Sequence, residues 1–202
     1  MNKINKINTI LRHNWTNDEV KCLIDQPLLD LVYQAQTIHR SNFPKNEIQK
    51  SKLLSIKTGS CPEDCSYCSQ SAHHNVDLKK EPLISIGEVL KAAQAAVQEG
   101  ATRFCMGAAW RGPTDKNIDQ VCDMVKAVNN LGLESCVTLG MLKDGHAEKL
   151  ADSGLSYYNH NIDTSKEHYS NVVTTRHFQD RLDTLEAVKN ADISVCSGGI
   201  LG

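Results

Sequence analysis

The sequence predicts an α/β protein built as part of a parallel (β/α) barrel. Three observations predict it. Short β-prone runs alternate with helical stretches from residue 53 to residue 196, giving five strands with four intervening helices. Most of the strands lead into small or glycine-rich turns, the pattern of a sheet whose loops gather at one end. Finally, 202 residues fall short of the roughly 250 of a complete eight-unit barrel, so only part of one is expected here. Right-handed crossovers wind such units into a curved wall.

The elements follow in order. Residues 1–50 read as a helical extension, separate from a barrel domain over 51–202. Thr16 and Glu19 form a capping box ahead of Val20, Leu23 and Ile24. Pro27 can open a second helix whose stripe is Leu28, Leu29, Leu31, Val32 and Ala35, read as a cap packed on a core. Strand one is expected over 53–58. Ser85 and Glu88 cap an Ala-rich helix over 89–98, stopped by Gly100. Strand two covers 102–106, followed by a helix over 118–131 ending at Gly132. Strand three covers 134–139, with a short helix over 147–152 after it. Strand four is expected over 155–161, the last helix over 178–190 and strand five over 193–196, running into Ser197, Gly198 and Gly199. The chain stops in that turn, at Gly202. The expectation is a truncated barrel: an open fifth strand, poor solubility in isolation, and weak retention of any group held by strand five.

Hydrophobic residues make up 40% and charged residues 23%, the composition of a globular chain with a sizeable core. Net charge is −2, from 22 basic and 24 acidic residues, which gives no broad footprint for nucleic acid or membrane. No apolar run reaches the roughly 18 residues of a membrane span. The polar N-terminus lacks the apolar stretch of a secretory signal, so a cytoplasmic setting is expected, with organellar import as the alternative. In that setting eight cysteines point to metal or redox chemistry rather than disulfides.

Cys61, Cys65 and Cys68 stand in a C-x3-C-x2-C string directly after strand one. Three thiolates on one loop can face a common centre. A zinc site normally takes four ligands, with His73 and His74 the nearby candidates for the fourth. A four-iron cube on three thiolates instead leaves one iron open to another ligand. Cys105, Cys136 and Cys196 fall within strands two, three and five. If Arg103, Cys105 and Gly107 point inward, Phe104 and Met106 face the helices, as their apolarity suits. Cys136 and Cys196 then share the interior, and the three thiols converge on a second metal site; the alternative is three small buried hydrophobes. Cys22 and Cys122 fall on helices and read as structural. Tyr157, Asn159 and Asn161 alternate along strand four and share a face.

These strings resemble those of a known family. The C-x3-C-x2-C loop after strand one looks like the radical S-adenosylmethionine superfamily. Ser55–Gly59, the run from Cys61 to Cys68, Arg103–Trp110, Tyr157–Thr164 and Val195–Ile200 resemble, in order, the biotin synthase family within it. The resemblance runs from about residue 15 to the end. It implies a sulfurtransferase that inserts sulfur into dethiobiotin to form biotin, using a [4Fe–4S] cluster on Cys61, Cys65 and Cys68 and S-adenosylmethionine. It implies a [2Fe–2S] sulfur donor on Cys105, Cys136 and Cys196, completed by an arginine from a later strand. Asn161 and Asp163 are then expected at the cofactor ribose, Arg181 at its carboxylate, Gly198 and Gly199 in a turn against it, and the Tyr67 ring on its adenine. Asn159 and Asn161 are expected near the substrate's ureido group. A reductant such as flavodoxin and a homodimer are implied as well. The alternatives from other classes are an inactive or regulatory iron–sulfur fragment and a zinc-binding structural protein.

Overall fold

A computed structural model describes residues 9–200; the expectations that fall on the first eight residues and on Gly202 lie outside it. The chain divides after Ile48 into two compact units.

The first unit holds α1 (Asn17–Ile24) and α2 (Leu28–Asn42). The expected capping box closes α1: Glu19 N–H donates to Thr16 Oγ1, and the Glu19 carboxylate accepts from Thr16 N–H at 2.9 Å. Within this unit by itself no residue of α1 or α2 is buried.

The second unit is a five-stranded parallel sheet in the order β1 (Ser51–Lys57), β2 (Arg103–Ala108), β3 (Glu134–Thr138), β4 (Tyr157–Asn159) and β5 (Ser194–Cys196). Between them run α3 (Ile86–Gln98), α4 (Asp115–Asn129), α5 (His146–Asp152), a single turn α6 (Tyr169–Val172) and α7 (Phe178–Asn190). The (β/α) expectation therefore holds, with sequence neighbours adjacent throughout. Caps move two helix starts forward: Ser85 with Glu88 begins α3, and Thr114 with Asn117 begins α4, three residues before the apolar period sets in. Strand four is three residues rather than seven, so Asn161 lies in the loop beyond it, and α6 is an addition to the expected helices.

The register sorts the side chains. Phe104, Met106, Val137 and Tyr158 point outward into one core with Val89, Val121, Met124, Val125 and Val188 from the helices. Phe104, Met106, Val137 and Tyr158 are fully buried, and each large apolar side chain so placed contributes about 1.5–3 kcal/mol. The alternate residues, Cys105, Gly107, Cys136, Thr138, Asn159 and Cys196, take the other face. A bulge between Ser55 and Lys57 ends β1, where the chain turns into the cysteine loop.

Candidate functional site

A cavity of about 350 Å³ opens at the C-terminal ends of the strands. The loop after β1 supplies Cys61, Cys65, Tyr67 and Cys68 to its wall. Strands β2 to β4 supply Gly107, Thr138 and Asn159, and the segment after β4 supplies His160, Asn161 and Asp163. This is where barrel enzymes place their chemistry.

The cysteine loop is held from several directions. Cys61 N–H donates to Gln70 O at 2.9 Å, and Ala72 N–H to Cys61 O at 2.8 Å. His74 Nε2 lies 2.8 Å from Cys65 O and His73 Nε2 3.0 Å from Pro62 O. The two histidines considered as fourth ligands thus brace the loop backbone instead. Asp64 accepts from the N–H groups of Thr174 and Thr175, at 2.9 and 3.2 Å, and from both hydroxyls; the bond from the Thr174 hydroxyl leads in holding its carboxyl well below the usual range. Burial pushes the Cys61 and Cys65 thiols up, a shift that the charge and hydrogen bond of Arg176 oppose at Cys65.

Four charged groups lock the cavity wall. Asp163 is 3% exposed and sits at φ 65°. Its carboxylate accepts from Tyr67 OH at 2.5 Å, Arg181 Nη2 at 2.7 Å and Arg176 Nη2 at 3.2 Å. Glu63, 1% exposed, pairs with Arg111 at 2.8 Å and Arg176 at 3.2 Å. Desolvation, then its bond to the Asp163 carboxylate, raises the Tyr67 phenol. Arg181 Nη1 lies 3.4 Å from both ring nitrogens of His160. Desolvation first, then Arg181, pushes that imidazole down to about 3. Gly198 and Gly199 lie against the backbone of this segment rather than in the cavity lining: Ile162 N–H donates to Gly198 O at 3.0 Å and Ile200 N–H to Asp163 O at 2.8 Å.

One step deeper on β2 and β3 lie two further thiols. Cys105 and Cys136 are direct register partners, and Cys136 is 2% exposed. The two thiols face one another, and their interaction draws Cys105 down and pushes Cys136 up. Cys196 pairs with Asn159, two residues further along the register than Cys136 with Tyr157, so its depth differs from the other two by one layer. Beside them Arg103 stacks 3.6 Å over the Tyr157 ring and bonds Glu134 at 2.9 Å. The Asn159 Oδ1 atom is buried without a partner. Cys122 is buried on α4, donating to Lys149 O, whereas Cys22 is exposed.

Sequence reasoning passed over Glu63, His160, Tyr169 and Arg176. Glu63 had a signal, lying between two cysteines of the loop. Arg176 had none, because its partners on the cysteine loop, Glu63 and Cys65, are over a hundred positions away.

A parallel (β/α) wall with three thiols on the loop after its first strand defines a class. The Radical SAM superfamily model matches residues 55–202, and the chain belongs to that superfamily. Among curated relatives, the chain is 59% identical over 196 residues to the biotin synthase of Colwellia psychrerythraea, covering 97% of this chain and 57% of that protein. It is 62% identical over 192 residues to the biotin synthase of Ruthia magnifica, covering 95% and 60%. The chain thus corresponds to part of those proteins, spanning little more than half their length. Solved structures share the fold: the [FeFe]-hydrogenase maturase HydG (TM-score 0.75, 19% identity, 93% of this chain and 43% of that one) and methylornithine synthase (0.73, 16%, 93% and 55%). Membership implies a [4Fe–4S] cluster and S-adenosylmethionine. The donor set fits them: three soft thiols rim one cavity, beside a carboxylate and guanidinium suited to a polar cofactor. No described helix is long and apolar enough to cross a membrane.

Proposed function

We propose that the chain is the catalytic part of a biotin synthase, an enzyme that inserts sulfur into dethiobiotin. The observation that carries this reading is the placement of two thiol sets at one end of the sheet: Cys61, Cys65 and Cys68 line the cavity, Cys105 and Cys136 lie on the strands beneath Gly107 and Thr138, and Cys196 lies beside Asn159. Bound there, the four-iron cluster and S-adenosylmethionine supply an electron and the means to abstract hydrogen from unactivated carbon. Cys61, Cys65 and Cys68 ligate three irons. Tyr67 offers a ring face to adenine. Asn161 and Asp163 offer acceptors to a diol, and Arg181 offers its fork to a carboxylate. Gly198 and Gly199 set the backbone of the segment that carries them. Asn159, with its free amide oxygen, and Asn161 face the substrate's ureido group. Cys105, Cys136 and Cys196 hold a [2Fe–2S] sulfur donor. Residues 1–50 form an extension to the barrel part over 51–202. A homodimer, a reductant such as flavodoxin and a cytoplasmic setting complete the reading.

The test is anaerobic reconstitution with iron and sulfide, followed by metal analysis and visible spectra. The chain takes up about four irons on the loop, and Cys65→Ala loses them. Zinc in place of iron, or an unchanged cluster in the triple Ala variant of the loop, overturns the site. Turnover of dethiobiotin is then measured in this chain and in a version extended to the relatives' length. No biotin from the extended version overturns the activity.

A further inference from the structure

Arg176 reaches the cysteine loop from far along the chain and is 7% exposed. Its guanidinium is engaged at all three nitrogens. Nε donates to Tyr169 OH at 3.0 Å, and Nη1 pairs with Glu63 Oε2 at 3.2 Å. Nη2 donates to Cys65 Sγ at 3.1 Å and to Asp163 Oδ2 at 3.2 Å. Among the described residues, Cys65 is the one loop thiol with a guanidinium donor. Cys61 is met by the Glu63 backbone N–H, and the nearby Lys57 ammonium is committed to the carbonyls of Gly59 and Ala109.

A charged donor on a ligand sulfur withdraws electron density and favours the reduced, more negative form of the cluster that sulfur holds. The planar fork also fixes where the sulfur points, because Glu63 and Tyr169 fix the fork. The geometry points to Arg176 as a positioning residue that orients the Cys65 sulfur and raises the reduction potential of the cluster on this loop. This rests on reading the loop as an iron–sulfur site. Asp163 shares the same nitrogen, so the cavity wall and the cluster ligand are joined through one side chain.

The experiment compares the reconstituted chain with Arg176→Gln and Arg176→Lys, by iron content, circular dichroism and the midpoint potential of the paramagnetic signal that Cys65→Ala abolishes. The Gln variant leaves two buried carboxylates short of a cation and is the one at risk of misfolding. The Lys variant keeps the charge but loses the fork, and it decides the matter if Gln fails. At a fixed potential the ratio of reduced to oxidised cluster is expected to fall about tenfold in Gln, equivalent to about 59 mV for one electron, and by less in Lys. Loss of iron from a natively folded Lys variant supports the positioning role. Wild-type iron content with wild-type potential in either variant overturns the proposal. If the unsubstituted chain holds no iron–sulfur cluster, the loop reading itself falls, which is a separate result.

Discussion

Gly140, in the turn that follows β3, carries a backbone argument that can be tested by adding one methyl group. Its φ is 86°, and a Cβ built there would lie 2.3 Å from Arg111 O and 2.6 Å from Trp110 O. Both obstacles are backbone. They are pinned, because Met141 N–H donates to Arg111 O at 2.7 Å across the same contact. Gly140→Ala therefore meets two costs: roughly 1–2 kcal/mol for a left-handed alanine, and about 1–3 kcal/mol for overpacking against chain that cannot rotate away. Gly132 supplies the control. Its φ is 81°, yet nothing lies within 4 Å of its Cβ position, so Gly132→Ala meets only the first cost. Urea denaturation is expected to show a loss of about 2–5 kcal/mol for Gly140→Ala against about 1–2 for Gly132→Ala. Gly140, Trp110 and Ala109 line the cavity, so ligand affinity should fall in the first variant and not in the second. Equal destabilisation in the two variants would refute the reasoning, since the close approach of the two loops is the one difference between them.

Two further outcomes are expected. Phe104→Ala, at a fully buried outward position, should cost about 3–5 kcal/mol, whereas Leu53→Ala, on the opposite face and 70% exposed, should stay within about 0.5; the reverse order in urea denaturation would mean a slipped register. His160 is a neutral acceptor for Arg181, with its pKa depressed to about 3 against about 6.5 in the unfolded chain. Its stabilisation of the neutral-pH fold is complete above pH 6.5 and is lost as pH falls toward 3, because the unfolded chain takes up a proton that the folded chain refuses. The slope of stability on pH should reach about 1.4 kcal/mol per unit in that window and should flatten in His160→Gln; identical slopes in the two proteins would remove His160 from the account.

The sequence by itself determined what local chemistry decides. Capping boxes at Thr16 and Ser85 placed helix starts, since the bonds that make them span three residues. Strand parity put Phe104 toward the helices and Cys105 opposite, because the pleat has a period of two whatever surrounds it. The spacing of Cys61, Cys65 and Cys68 put three thiols on one loop before any fold was known. Tertiary structure decided what joins distant segments. Strand β4 is only three residues because its pairing with β3 ends at Tyr158, while the chain beyond it stays beside the turn after β5, with Ile162 N–H on Gly198 O and Asp163 bridging Gly199. The one-layer offset of Cys196 follows from the register of β4 with β5, which no single strand encodes. The lock of Glu63, Asp163, Arg176 and Arg181 forms for the same reason. Burying these charges is tolerable only where each meets its opposite, and the partners are brought together by crossovers from opposite ends of the sheet.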